Sequence, residues 1–211
     1  PDHRERLIEQ AKERNLIYAD QAFVPGEAGV YPEALETHRT TKSGKELLLR
    51  PVKIRDEPLL KDFFYSLSDE SLYKRFVTAR RDMPHEKLQE FVVIDYSQEM
   101  VILALREDGH REVLMGLGQY TIDERTHTAD VAFIVQDDHH NEGIATELLS
   151  YLVHLASKQG LLGFTADVLM TNRAMVRVFE KTGFELHKQS ILDGDPMYEL
   201  NLTFGVTEQE A

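Results

Sequence analysis

The 211-residue chain carries 37 acidic against 24 basic residues, a net charge of −13, which excludes a general nucleic-acid binder that works through a basic surface. Its 42% hydrophobic content is enough for a core, and the absence of cysteine removes disulfides, thiol nucleophiles and thiolate zinc sites. Chemistry must come from carboxylates, histidines, hydroxyls or backbone amides; with no apolar run long enough for a membrane span and no leader pattern, the expected location is cytoplasmic.

Residues 1–15 are charged, with Leu7, Ile8 and Ala11 at helical spacing. They read as a short helix followed by a linker to about residue 45, outside the main domain. Regular patterning begins at Glu46-Leu47-Leu48-Leu49-Arg50-Pro51, a short apolar run closed by proline that predicts a strand. Leu59, Leu60, Phe63, Phe64 and Leu67 then share a helical face, and Ser68 caps a second helix that reaches Phe76. A third helix starts near Pro84, carries Leu88, Phe91, Val92 and Ile94, and ends at Asp95-Tyr96.

Three extended stretches follow, 100–106, 113–122 and 128–135, and they read as an antiparallel meander with Gly116 and Gly118 as bulge candidates. Residues 143–159 carry Ile144, Leu148, Leu152, Leu155 and Ala156 in one stripe, stopped by Gly160. A strand at 164–169, a helix over 172–182 closed by Gly183, and two strands at 184–189 and 197–202 across the Asp193-Gly194 turn complete the domain. The order predicts an α+β fold over residues 46–204, with a mixed central sheet of about seven strands, helices on both faces and a disordered tail from residue 205.

Between Val135 and the helix at Gly143 lies Gln136-Asp137-Asp138-His139-His140-Asn141-Glu142-Gly143-Ile144-Ala145-Thr146. Gly143 and the small Ala145 sit where the chain enters a helix, so free N–H groups can converge on an anion there, helped by the helix dipole. An ordinary strand-to-helix turn has the same composition. No lysine or arginine occurs between Arg125 and Lys158, so a phosphate bound here must rely mainly on backbone amides and on groups arriving from elsewhere in the fold. Asp137, Asp138, His139 and His140 are metal-ligand types, but adjacent residues rarely converge on one ion, and no metal is expected.

His140-Asn141-Glu142-Gly143-Ile144-Ala145 resembles the cofactor loop of the GCN5-related N-acetyltransferases (GNAT), whose pattern is Gln or Arg, two residues, Gly, one residue, then Gly or Ala. His140 departs from that pattern. Asn172-Arg173-Ala174-Met175, running to Phe179-Glu180-Lys181-Thr182-Gly183-Phe184, resembles the family's second cofactor motif. Leu49-Arg50-Pro51, the segment Leu67 to Phe76 and Asp95-Tyr96 resemble the GNAT domains of bacterial protein lysine acetyltransferases. The leading helix resembles the tail of an acetyl-CoA hydrolase or transferase domain, which implies a fusion with a CoA-transferase partner.

The resemblance implies acetyl-CoA as co-substrate and no metal. It implies a pantetheine arm along Phe133, Ile134 and Val135 and a pyrophosphate on His140, Asn141, Glu142, Gly143, Ile144, Ala145 and Thr146. Asn172 would touch the pantetheine side, and Phe179 is either core or a wall of the pantetheine channel; Arg173, Arg177 and Lys181 form a stripe that suits either an adenosine phosphate or solvent.

A lysine acceptor needs a base, and Asp130 stands where related enzymes carry a glutamate; a solvated strand-end carboxylate is the alternative, with Asp95 and Glu99 as second choices. Phe179 occupies the place of the family's proton-donating tyrosine, which leaves water, Tyr198 or Tyr151 for the thiolate. The resulting expectation is an acetyl-CoA-dependent N-acetyltransferase acting on a primary amine, a protein lysine first, by direct attack. A non-catalytic acetyl-CoA-binding regulatory domain is the alternative.

Overall fold

Alternating and 3.6-residue apolar patterns resolve into eight strands and five α-helices over residues 30–77 and 82–205, the residues described by this computed structural model. The strands are β1 Thr37–Thr40, β2 Glu46–Pro51, β3 Glu99–Asp108, β4 Arg111–Asp123, β5 Thr128–Val135, β6 Gly163–Leu169, β7 Glu185–Leu192 and β8 Asp195–Thr203. The helices are α1 Glu57–Ser66, α2 Asp69–Phe76, α3 His85–Val92, α4 Ile144–Lys158 and α5 Arg173–Lys181. The strands make one mixed sheet in the order β1-β2-β3-β4-β5-β6-β8-β7. None of the helices is long and apolar enough to cross a membrane. The helix expected over residues 1–15 and the tail after Gly205 lie outside the described residues.

The chain divides into two compact units that share the continuous elements β4, β5 and α4. The first, within the described residues, comprises 30–77, 82–119 and Ala132–Leu149. Its β3 is buried on both faces from Met100 to Leu105. Leu60, Phe63 and Phe64 of α1, Leu72 of α2 and Leu88 and Phe91 of α3 form one cluster with Leu48, Val101, Leu103 and Leu105 of the sheet. Phe64 holds this cluster together, 5.2 Å from Phe91 and 5.9 Å from Phe76 between ring centroids. Ser68 caps α2 as expected, its Oγ accepting from the Ser71 N–H at 3.2 Å. The third helix is shorter than its stripe suggested: α3 stops at Val92, and Val93 turns outward.

The stretch expected to be linker supplies β1, which pairs antiparallel with β2 from Thr37↔Leu49 to Thr40↔Glu46. This raises the strand count from about seven to eight. The Leu49-Arg50-Pro51 run is explained by an ion-pair anchor. The Arg50 guanidinium, 1% exposed, holds Asp56 through two bonds of 2.7 and 2.9 Å and Glu112 at 2.7 and 3.2 Å.

The second unit, within the described residues, comprises Tyr120–Val131 and Ser150 onward. Phe164 packs against Tyr120 and Phe204 at 5.5 and 5.0 Å, and the buried Tyr120 hydroxyl donates to Gln159 at 2.7 Å. β6 pairs antiparallel with β8 along its whole length, from Gly163↔Thr203 to Leu169↔Met197. Its parallel ladder with β5 is two pairs long, Ala129↔Phe164 and Asp130↔Thr165.

Candidate active site

The loop after β5 begins with a 3-10 turn at Asp137–His139, and the chain then takes left-handed φ values at Asn141 (64°) and Gly143 (88°). Asparagine tolerates that region and glycine favours it. A Cβ on Gly143 would stand 3.3 Å from Thr41 Cβ, so a side chain here is both strained and crowded. Alternating backbone signs of this kind aim successive N–H groups into one concavity.

Six successive amides, residues 141–146, have no hydrogen-bond acceptor among the described residues, and the first bond of α4 is Glu147 N–H to the Gly143 carbonyl at 3.1 Å. A helix start ordinarily leaves four such donors, and they favour an anion. The donor set therefore fits the pyrophosphate that the sequence motif implies.

His140 is engaged within the loop through both its backbone and its ring. Its N–H goes to the Asp137 carbonyl, and its Nε2 lies 3.0 Å from the Val135 carbonyl, so the ring turns back onto β5 and occupies the last acceptor of the strand expected to pair with pantetheine. The cradle accordingly begins at Asn141. Phe133, Ile134 and Val135 bury their side chains, leaving backbone groups as the means by which they can meet a ligand. Gly116 on β4 is explained by close approach, since a Cβ there would sit 3.0 Å from the Ile134 carbonyl oxygen and 3.4 Å from Leu148.

Side chains in this loop are tied to other elements of their unit. Asp137 accepts from the Ser68 hydroxyl at 2.6 Å, the Ser68 N–H at 3.1 Å and the Ser71 hydroxyl at 2.8 Å, which fastens the loop to the start of α2. Burial opposes its charge, but these hydrogen bonds outweigh burial and hold the carboxyl below the usual range. Glu142 is likewise held low, chiefly by its bond with Lys45. Neither Ser71 nor Lys45 was identified as a site residue from the sequence, where they lie 66 and 97 positions from their partners. Among the described residues no group of three or more His, Asp or Glu side chains is arranged around a common point for an ion.

In the second unit, Asp130 is exposed on β5 and accepts from the Thr165 hydroxyl at 3.4 Å. The registers Thr165↔Asn201 and Asp167↔Glu199 put Thr165, Asp167, Glu199 and Asn201 on the face of Asp130. Burial, and then the neighbouring Glu199, push the Asp167 carboxyl up. Lys188 offsets Glu199 at 2.9 Å. Asn172 is the N-cap of α5, its Oδ1 accepting from the Met175 N–H at 3.4 Å. Phe179 is 2% exposed and packs edge-on against Phe184 at 4.8 Å, a core position.

Arg173 and Arg177 line a 740 Å³ cleft with Tyr198, Leu186 and Leu200, whereas Lys181 is not part of its wall. Tyr151 is buried and stacked on His154 at 6.2 Å. In the first unit, Glu99 is pushed up by burial and then by Asp95.

A cradle of orphan amides at a strand-to-helix turn is an arrangement suited to an anionic group. Residues 46–185 match the family model described as the acetyltransferase (GNAT) domain, and the chain belongs to that family of acetyltransferases. It is 28% identical over 156 residues to the acetyltransferase PA5475 of Pseudomonas aeruginosa, covering 73% of this chain and 80% of that protein. It is 29% identical over 143 residues to the acetyltransferase Pat of Mycolicibacterium smegmatis; there the match spans 67% of this chain but only 42% of the relative. The GNAT domain of S. lividans PAT superposes with a TM-score of 0.74 at 27% identity, over 83% of this chain and all of that one.

Proposed function

We propose that this chain transfers the acetyl group of acetyl-CoA to a primary amine, a protein lysine first, by direct attack without a covalent enzyme intermediate. The observation that carries the reading is the run of six unpartnered amides at 141–146, which suits a CoA pyrophosphate. Family membership supports acetyl as the group moved. The carboxylates of Asp130, Asp167 and Glu199 on one face of the second unit support a cationic acceptor, as does the net charge of −13.

At neutral pH roughly one lysine amine in two thousand is unprotonated. In this reading Asp130 takes the ammonium proton, directly or through one water. The nitrogen lone pair then forms the C–N bond as the C–S bond breaks, and the departing thiolate is protonated by water, since Phe179 has no proton to give. Acetyl-CoA supplies the activated acyl group; Asn141 to Thr146 hold its anionic end.

The test is release of free CoA thiol from acetyl-CoA in the presence of a lysine-containing peptide, spermidine or no amine. Amine-dependent release, fastest with the peptide, is expected. Binding of acetyl-CoA with no release above hydrolysis for any amine would contradict the transferase reading and favour a regulatory domain.

A further inference from the structure

The segment that carries the cradle has no basic side chain of its own. Residues 126–157 contain no lysine or arginine, and Glu142 places a carboxylate within the run of anion-facing amides. The turn between β1 and β2 bears on both problems. It is closed by the Thr41 N–H to Lys45 carbonyl bond at 2.9 Å, the Gly44 N–H to Thr41 carbonyl bond at 2.8 Å and the Lys45 N–H to Thr41 Oγ1 bond at 3.0 Å. A turn so tied fixes the backbone from which Lys42 and Lys45 project.

Lys45 Nζ lies 2.7 Å from Glu142 Oε2, His139 Nδ1 is 3.0 Å from the same oxygen, and the Ser43 hydroxyl donates to the Glu142 carbonyl at 2.8 Å. The Lys42 backbone nitrogen is 3.9 Å from the point where a Gly143 Cβ would stand, and the exposed Lys42 side chain has no ion-pair partner among the described residues. One cation of the turn thus pairs with the loop's own carboxylate, and the other belongs to a residue whose backbone lies beside the glycine of the cradle.

We propose that the β1–β2 turn is a working part of the cofactor site: Lys45 cancels the charge of Glu142 so that the cradle does not repel phosphate, and Lys42 supplies a cation to the CoA phosphates. The proposal rests on the acetyl-CoA reading above. Lys42 is then a phosphate-binding residue and Lys45 a positioning and charge-setting one. Ion pairs near solvent have modest strength, so the effects are expected in affinity and its salt dependence and not as complete loss.

The test is calorimetric titration of acetyl-CoA into the full chain and into Lys42→Gln, Lys45→Gln and the double variant Lys45→Gln/Glu142→Gln, at low and high salt, with melting temperatures recorded. Lys45→Gln should weaken binding about tenfold, and the double variant should return to within about threefold of the unaltered chain. Lys42→Gln should weaken binding about fivefold and flatten the salt dependence with an unchanged melting temperature. If the turn is only a mechanical strap, the double variant binds as weakly as Lys45→Gln or worse, and that result overturns the proposal. An unchanged affinity and salt slope in Lys42→Gln overturns it as well. If the unaltered chain fails to bind acetyl-CoA, the cofactor reading itself falls and takes this proposal with it, an outcome distinct from the other two.

Discussion

Replacing Asp130 with asparagine is expected to lower kcat by about 10² to 10⁴ while leaving acetyl-CoA affinity within about twofold, because a positioned general base contributes that much to rate and little to ground-state binding. Asparagine keeps the shape and still accepts from Thr165, whose hydroxyl reaches Asp130 at 3.4 Å. The variant therefore removes a proton acceptor without disturbing the strand. A pH profile separates this role from a structural one: the acid-side fall of kcat/KM, which reports protonation of the base, should vanish in Asp130→Asn. Thr165→Val should have a smaller effect, since it alters only the orientation of the carboxylate. An Asp130→Asn variant that keeps full activity would move the base to Glu99, whose proton is already held more tightly by burial.

The second large effect concerns stability. Arg50→Met is expected to destabilise the fold by about 3–5 kcal/mol, the cost of leaving a buried carboxylate without its partner. Asp56 is buried, and it loses both guanidinium bonds, keeping the Lys53 N–H at 2.7 Å. Glu112 is 39% exposed and can return to water, so its share of the loss is small. For a chain of this size the melting temperature should fall by roughly 6–20 °C. Pairing Arg50→Met with Asp56→Leu should recover part of that loss, because an apolar replacement of the whole pair leaves no uncompensated charge. If Arg50→Met melts within a degree or two of the unaltered chain, the anchor is not what holds β2 to the turn before α1.

Most of the fold was legible because its signals are local. Ser68 before Asp69 marks a helix start that the structure confirms as a cap, and the apolar stripe from Ile144 to Ala156 fixes α4 to within a residue or two. β1 escaped notice for an equally physical reason. Thr37-His38-Arg39-Thr40 is an exposed edge with no apolar alternation, and only its pairing with β2 makes it a strand.

In the site, the loop itself could be found because glycine at a strand-to-helix turn is a positional signal. What surrounds the loop could not. The shortage of cations in residues 126–157 left backbone amides and groups from elsewhere in the fold to meet a phosphate, and nothing in the sequence singled out Lys45 or Lys42 from the other basic residues. His140 holds the motif's position, and nothing in the sequence shows that its imidazole, five residues beyond Val135, reaches back to that carbonyl. Phe179 packs in the core, one of the two places its spacing allows, and Asn172 caps α5.

The most direct test of the account is a calorimetric titration of the chain with acetyl-CoA, run beside Gly143→Trp. The account predicts saturable one-to-one binding to the unaltered chain and none to Gly143→Trp, with both proteins melting cooperatively, because a side chain at φ 88° and 3.3 Å from Thr41 cannot leave the amide cradle as it is. No binding to folded, unaltered protein at millimolar ligand, or equal affinity in the two proteins, would contradict the claim that residues 141–146 hold the cofactor.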